Sequence, residues 1–327
     1  LKLRALTYFV SSLDRVAEVS DSLSAIQLDV WSKRVALPPT PREITTSKLV
    51  ELPLRKELIY ALVHLRGKDP RVKDVPDLLR SVPNSFGSIL VGSVQQVEEV
   101  ASIMSKLEPE EATRLLILLN HDFLLTPYFP AACSSGKEGV GVALLYVQEF
   151  KEGRVSESLR IAEEVGIRAA SSLGTKFLGV DPSLSPWMDE SVGALIEENS
   201  GKLFSPGNMG VVMNLNRKIE EASNLVDKRL GFSEVMLPVG EDNVLKSRVE
   251  EGTLTLSSLI SLTAVCAAGL DMVALGEVNL KSLLLDLLAL RATKGRPYGV
   301  RVIPTGLKYG SVINLDQFGR IPIVKVV

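Results

Sequence analysis

Histidine and cysteine are scarce in this 327-residue chain, which carries two of each: His64, His121, Cys133 and Cys266. Two cysteines cannot build a disulfide framework or a four-thiolate zinc site, and two histidines exclude multi-histidine metal centres. Carboxylates and amides are left as candidate ligands, so any metal would be a hard one. An excess of one charge is missing as well. The 37 Lys+Arg against 39 Asp+Glu give a formal net charge of −2, which offers no electrostatic footprint for nucleic acid or an acidic membrane, and neither partner is expected. Nothing at the start of the chain has the pattern of a cleavable export signal, and the sparse cysteines fit a reducing compartment, so the cytoplasm is the expected location.

Long apolar runs are also few. The longest uncharged stretch, residues 252–270, is nearly long enough to span a bilayer core at about 1.5 Å per residue. Serines and threonines interrupt it throughout, and Leu256, Leu259, Ile260 and Leu262 fall at helical spacing, which predicts a buried core helix. The composition that remains, 46% hydrophobic with 23% charged, is that of a packed globule and excludes general disorder and fibrous repeats.

Periodicity predicts alternating strands and helices. Strands are expected at residues 3–10, 27–37, 88–91, 114–119, 140–150, 176–180, 234–239, 271–275, 300–303 and 321–327, and helices at 12–26, 47–65, 94–107, 156–173, 190–198, 215–226, 242–250 and 280–290. Pro and Gly mark turns without collecting into a boundary, so a single α/β domain over residues 1–327 is expected. Between Asn120 and Gly141 the pattern fails, and a loop mixing aromatic, apolar and Pro residues takes over, of the kind that often carries function.

Two motif-like segments fail on inspection. Ser134-Ser135-Gly136-Lys137-Glu138 lacks the glycine five positions before the lysine, and the hydroxyl after it, that a phosphate loop needs. Gly231-Phe232-Ser233-Glu234-Val235 lacks the closing glycine of a nucleophile elbow and precedes its strand. Cys133 with His121 reads as a loop thiol and an ordinary histidine. The decapeptide 263–272 is more unusual, since small residues surround Cys266 and an acid, Asp271, follows Gly269. Cys266 and Asp271 are either a buried thiol beneath a glycine turn and a carboxylate bonded to backbone, or groups facing a cavity. Arg301 enters an apolar strand, where a charge needs solvent or a carboxylate such as Asp271, Asp242 or Asp181. Asp181 and Ser183 lie in a turn-rich segment at a strand end, a common place for ligand contacts in α/β proteins.

Several segments together carry a resemblance: residues 3–9, Pro127-Tyr128-Phe129-Pro130-Ala131-Ala132, Asp181-Pro182-Ser183-Leu184, residues 231–242, Ala264-Val265-Cys266 with Gly269-Leu270-Asp271-Met272, and Arg301-Val302-Ile303-Pro304. In this order they resemble the uncharacterised family catalogued as domain of unknown function 711. The resemblance implies a fold similar to the pyruvate formate-lyase-like glycyl radical enzymes, a ten-stranded α/β barrel with a loop reaching inside. Radical storage in such enzymes needs a glycine in an Arg-Val-x-Gly-aromatic setting. Here Pro304 occupies that place, so the radical chemistry does not carry over.

The expectation is a soluble homo-oligomeric barrel protein that binds a small polar or anionic metabolite, with no cofactor assigned. Arg301 is expected to pair the anion, with Ser183 and backbone amides orienting it, Asp181 lining the cavity as a further substrate-binding residue, Asp271 as general base or hard-metal ligand and Cys266 as a cavity thiol. The alternative is a non-catalytic ligand sensor or oligomeric scaffold, expected if these five side chains scatter or are fully paired inside the core.

Overall fold

A computed structural model describes residues 2–128 and 131–327, so Phe129 and Pro130 of the loop motif lie outside the described residues. Ten strands form one mixed sheet: β1 (Lys2–Phe9), β2 (Ser32–Ala36), β3 (Ile59–Arg66), β4 (Ser85–Leu90), β5 (Leu115–Leu118), β6 (Gly139–Leu145), β7 (Phe177–Asp181), β8 (Met236–Pro238), β9 (Ala267–Leu275) and β10 (Gly299–Pro304). Their order is β7-β6-β1-β2-β3-β4-β5-β10-β9-β8. Strands β1 to β5 run parallel, as do β6 with β7 and β8 with β9 and β10. The blocks meet antiparallel at β1–β6 and β5–β10. The two ends of this order also touch: Leu184 N donates to Glu234 O at 3.1 Å, Met236 N to Leu184 O at 2.8 Å, and Leu230 N to Val180 O at 2.8 Å.

Parallel strands covered on both faces read as near-continuous apolar runs, and β1 and β3 do so. One face meets helices, among them Val155–Ser172 against β6 and β7. The other face carries small residues, Ala5, Ala36, Ala61 and Ala143, beside larger ones such as Phe9, Leu90, Leu116 and Leu118, and these pack in clusters with Phe123, Tyr128, Ala131, Ala132 and Cys133 of the irregular loop. The four alanines leave room on that face for the loop. Thr7 Oγ1 donates to Pro127 O at 2.5 Å, Ser134 N to Leu37 O at 3.0 Å and Gly231 N to Leu125 O at 3.1 Å, which ties the loop along that face.

Several element boundaries differ from expectation. Residues 47–65 hold only a short helix, Thr46–Val50, before β3 begins at Ile59. Pro53 cannot donate into a continuing helix, and the run from Ile59 to Leu65 is buried on both faces, so helical and strand spacing look alike there. The same ambiguity splits 252–270 into the helix Leu256–Leu262 and the start of β9 at Ala267. The expected strand at 140–150 ends at Leu145 and turns into the helix Val147–Lys151. The final strand is replaced by a separate hairpin, β11 (Val312–Leu315) with β12 (Gly319–Pro322). Among the described residues no helix is long and apolar enough to cross a membrane.

Candidate functional site

Charged residues inside apolar strands need a partner, and three arginines on the loop-facing side of the sheet gather around one end of it. Arg4 falls at a β-bulge, where the β1–β6 register shifts between Leu3 and Ala5, and the extra residue turns its guanidinium inward. Arg34 reaches the same space by simple alternation: Val35 joins the outer core, while Ala36 packs with the loop-side cluster. Arg301 on β10 lies opposite Asp271 on β9, next to another register shift at which Met272 adopts a left-handed φ of 50°. That conformation is uncommon for a non-glycine residue and marks a locally constrained turn of the strand.

The three guanidiniums are not equivalent. Arg4 donates to Ser185 Oγ at 2.8 Å, Pro186 O at 2.7 Å and Glu241 Oε2 at 2.7 Å. Arg301 grips Asp271 through Nε and Nη2 at 2.5 and 3.0 Å and reaches Glu241 Oε1 at 2.8 Å. Arg34 has no carboxylate among its hydrogen-bond partners. Its Nε donates to Ser32 Oγ at 2.9 Å, its guanidinium lies 4.9 Å from the Tyr128 ring centre, and its Nη1 is buried without a hydrogen-bond partner. Tyr128, at the tip of the described part of the loop, stacks under Arg4 at 4.5 Å and donates to Glu241 Oε2 at 3.3 Å.

The protonation states follow from these contacts. Burial first, with Arg4 and Arg301 behind it, lowers Arg34 to about 10 against partial opposition from Tyr128 and Glu241, and it remains a cation at neutral pH. Burial would raise Glu241, but Arg301 and Arg4 together outweigh it and hold the carboxyl below its usual range. Asp271 is pushed up by burial, which the single guanidinium of Arg301 offsets only in part. Arg301 is driven down by burial and then above its ordinary value by Asp271 and Glu241. The buried group holds three guanidiniums against two carboxylates, and the surplus positive charge falls to Arg34.

A cavity of about 580 Å³ opens here, with Arg4, Arg34, Arg301, Glu241 and Tyr128 as its buried wall and Trp31, Trp187 and Phe318 nearer solvent. Among the described residues that line it there is neither histidine nor cysteine. Such an arrangement can hold and orient an anion, because a cation desolvated by its surroundings gains most from a charged acceptor.

The residues singled out in the sequence are placed as follows. Arg301 and Asp271 are brought together as an ion pair, and Arg301 lines the cavity while Asp271 sits behind it. Asp181 and Ser183 form a local turn: Asp181 Oδ1 accepts from Ser183 N at 3.0 Å and Ser183 Oγ at 2.6 Å, and Oδ2 accepts from Thr126 Oγ1 of the loop at 3.1 Å. Burial raises the Asp181 carboxyl against these bonds. Gly231, at φ 73°, lies so close that a Cβ there would stand 2.0 Å from Asp181 Oδ2. Cys266 is in the main core, its thiol pushed up to about 12 by burial, and Lys294 Nζ donates to its carbonyl. The five do not converge on one opening. Asp242 caps the helix Asn243–Glu250, accepting from Val244 N and Leu245 N, and makes no contact with Arg301.

Sequence reasoning missed Arg4, Arg34, Tyr128 and Glu241. A charge in an apolar strand, the signal at Arg301, is equally present at Arg4 in Leu3-Arg4-Ala5-Leu6 and at Arg34 before Val35-Ala36-Leu37. Glu241 stands beside the residue that was considered, Asp242.

Comparison with known proteins agrees with the resemblance. The chain is 31% identical over 197 residues to a UPF0210 protein of Leuconostoc mesenteroides, covering 57% of this chain and 44% of the relative. It is 26% identical over 309 residues to one from Pyrobaculum arsenaticum, covering 79% and 68%, and 32% identical over 299 residues to one from Sulfurisphaera tokodaii, covering 80% and 66%. The chain thus spans from under half to about two thirds of the length of these relatives. A family model matches residues 87–316, a segment that includes Tyr128, Glu241, Asp271 and Arg301 and begins after Arg4 and Arg34. On that match the chain belongs to the family described as Uncharacterised ACR (DUF711).

Proposed function

We propose that this protein binds a small organic anion carrying one carboxylate, held by Arg34 in the cavity at one end of a closed ten-stranded α/β barrel. The observation that carries the reading is the inequality among the three buried arginines: Arg4 and Arg301 are matched by Glu241 and Asp271, and Arg34 is not. A buried cation without a counter-ion is costly, and a carboxylate bound in the cavity that Arg34 lines would supply the missing charge. Hydrogen bonds linking residues beside β7 to residues beside β8 support the closed barrel, with the loop inside it. In this reading Arg301 and Asp271 position the wall, Asp181 and Ser183 anchor the loop through Thr126, and Cys266 packs in the core.

Titration calorimetry with carboxylates and their neutral amides tests the reading. Carboxylates bind the wild type, amides do not, and Arg34→Met abolishes the difference; equal binding of acid and amide would refute it.

A second reading, a non-catalytic sensor or oligomeric scaffold, is favoured by the internal pairing of Asp181, Ser183, Asp271 and Arg301. Size-exclusion chromatography with and without a carboxylate separates the two, since only a sensor changes its assembly with ligand.

A further inference from the structure

The cavity is much larger than the anion that Arg34 could hold. At about 580 Å³ it amounts to some twenty water volumes of roughly 30 Å³ each, so a two- or three-carbon acid would leave most of it filled with solvent. The side chains between Arg34 and solvent indicate what fills the rest. Trp31 and Trp187 meet edge to face with ring centres 4.6 Å apart, and Trp187 meets Phe318 in the same manner at 5.9 Å. One side of this row is occupied: the Arg4 guanidinium lies 5.4 Å from the Trp31 ring centre and 5.7 Å from that of Trp187. Trp31 nevertheless remains 48% exposed, an unusual state for the largest apolar side chain when an aromatic row is already there to bury it.

We infer that the ligand is a carboxylate with an apolar ring in its body, its anionic end on Arg34 and its ring against Trp31 at the cavity mouth. This rests on the anion-binding reading above and adds the chemical class of the body. Trp31 and Arg34 both line this cavity, so a single ligand can touch both, and the rings around Trp31 offer the offset or edge contacts that planar groups prefer. The Phe318 ring is held in the row by its backbone, whose carbonyl accepts from Lys246 Nζ at 2.6 Å.

The test uses 3-phenylpropanoate, propanoate and 3-phenylpropanamide with the full chain, read by calorimetry. The expected result is phenylpropanoate binding about tenfold tighter than propanoate, with the amide far weaker. Trp31→Ala should weaken phenylpropanoate about fivefold and leave propanoate unchanged, and Trp31→Phe should restore much of the loss. Because Trp31 is half exposed, both variants should fold, and their urea midpoints establish that. Equal affinity for the two acids, or an unchanged ratio in Trp31→Ala, overturns the ring while Arg34→Met, by still weakening both acids, leaves the anion reading standing. Acid binding that is indifferent to Arg34→Met overturns the anion reading itself, and no binding of either acid at about 10 mM overturns both.

Discussion

Replacing Arg34 by Met should stabilise the empty protein while removing its affinity for anions. Burial lowers the guanidinium from its ordinary value to about 10, and at about 1.36 kcal/mol per pKa unit this is a cost of about 3 kcal/mol for keeping the cation in the fold. The sign follows from the unfolded chain, which keeps the proton more firmly: the penalty is fully present at every pH below about 10 and fades only as pH rises from there toward the ordinary arginine value. Methionine abolishes it, including the share that comes from repulsion by Arg4 and Arg301. Against this stand the lost bond to Ser32, about 1 kcal/mol, and the lost stacking on Tyr128, of similar size. A net gain of about 1 kcal/mol at pH 7 is expected in urea unfolding. With carboxylate at a hundred times its Kd, the wild type gains about 2.7 kcal/mol and the variant nothing, so the order of stability inverts. A variant less stable than wild type by more than about 1 kcal/mol, or one that keeps its ligand-induced gain, would refute the reasoning.

Other consequences follow from the same electrostatics. His64 is buried between Ser88 Oγ and Ala61 O and is lowered by burial from 6.5 to about 4, so the unfolded chain takes the proton first. Its contribution is whole above pH 6.5 and is lost as pH falls toward 4, by up to about 3 kcal/mol; urea midpoints of wild type and His64→Asn at pH 7.5 and 4.5 should show the smaller acid loss in the variant. Both thiols are pushed up to about 12 by burial, so neither Cys133 nor Cys266 should react with a thiol reagent at pH 8 until urea unfolds the chain, and prompt reaction of the native protein would contradict the packing. Asp271→Asn should cost about 3 kcal/mol or more, because it strips one counter-ion from a guanidinium that remains buried; a loss under about 1 kcal/mol would mean that the pair is not desolvated.

The alternation of strands and helices was legible in the sequence because most strands here are short apolar runs with turn residues at both ends. It failed where a run was apolar on every side. From Ile59 to Leu65 nothing in the spacing separates a core helix from a strand covered on both faces. The strand order was beyond reach of periodicity, since contacts such as Leu184 with Glu234 join residues whose sequence neighbours carry no signal of the pairing. Of the site, Arg301 and Asp271 could be anticipated as partners because one is a charge in an apolar strand and the other an acid beside a glycine turn. Arg34 could be noticed as a charge, but its lack of a partner depends on Arg4 and Arg301 engaging Glu241 and Asp271, and both of those arginines lie at strand bulges that a pattern of hydrophobicity does not encode.

The most direct measurement is a crystal structure with 3-(4-bromophenyl)propanoate, in which anomalous scattering locates the bromine and density locates the carboxylate. The account predicts the carboxylate within hydrogen-bond distance of the Arg34 guanidinium and the bromine beside Trp31. A carboxylate seated on an exposed cation such as Lys56, with Arg34 still unpaired, would contradict it.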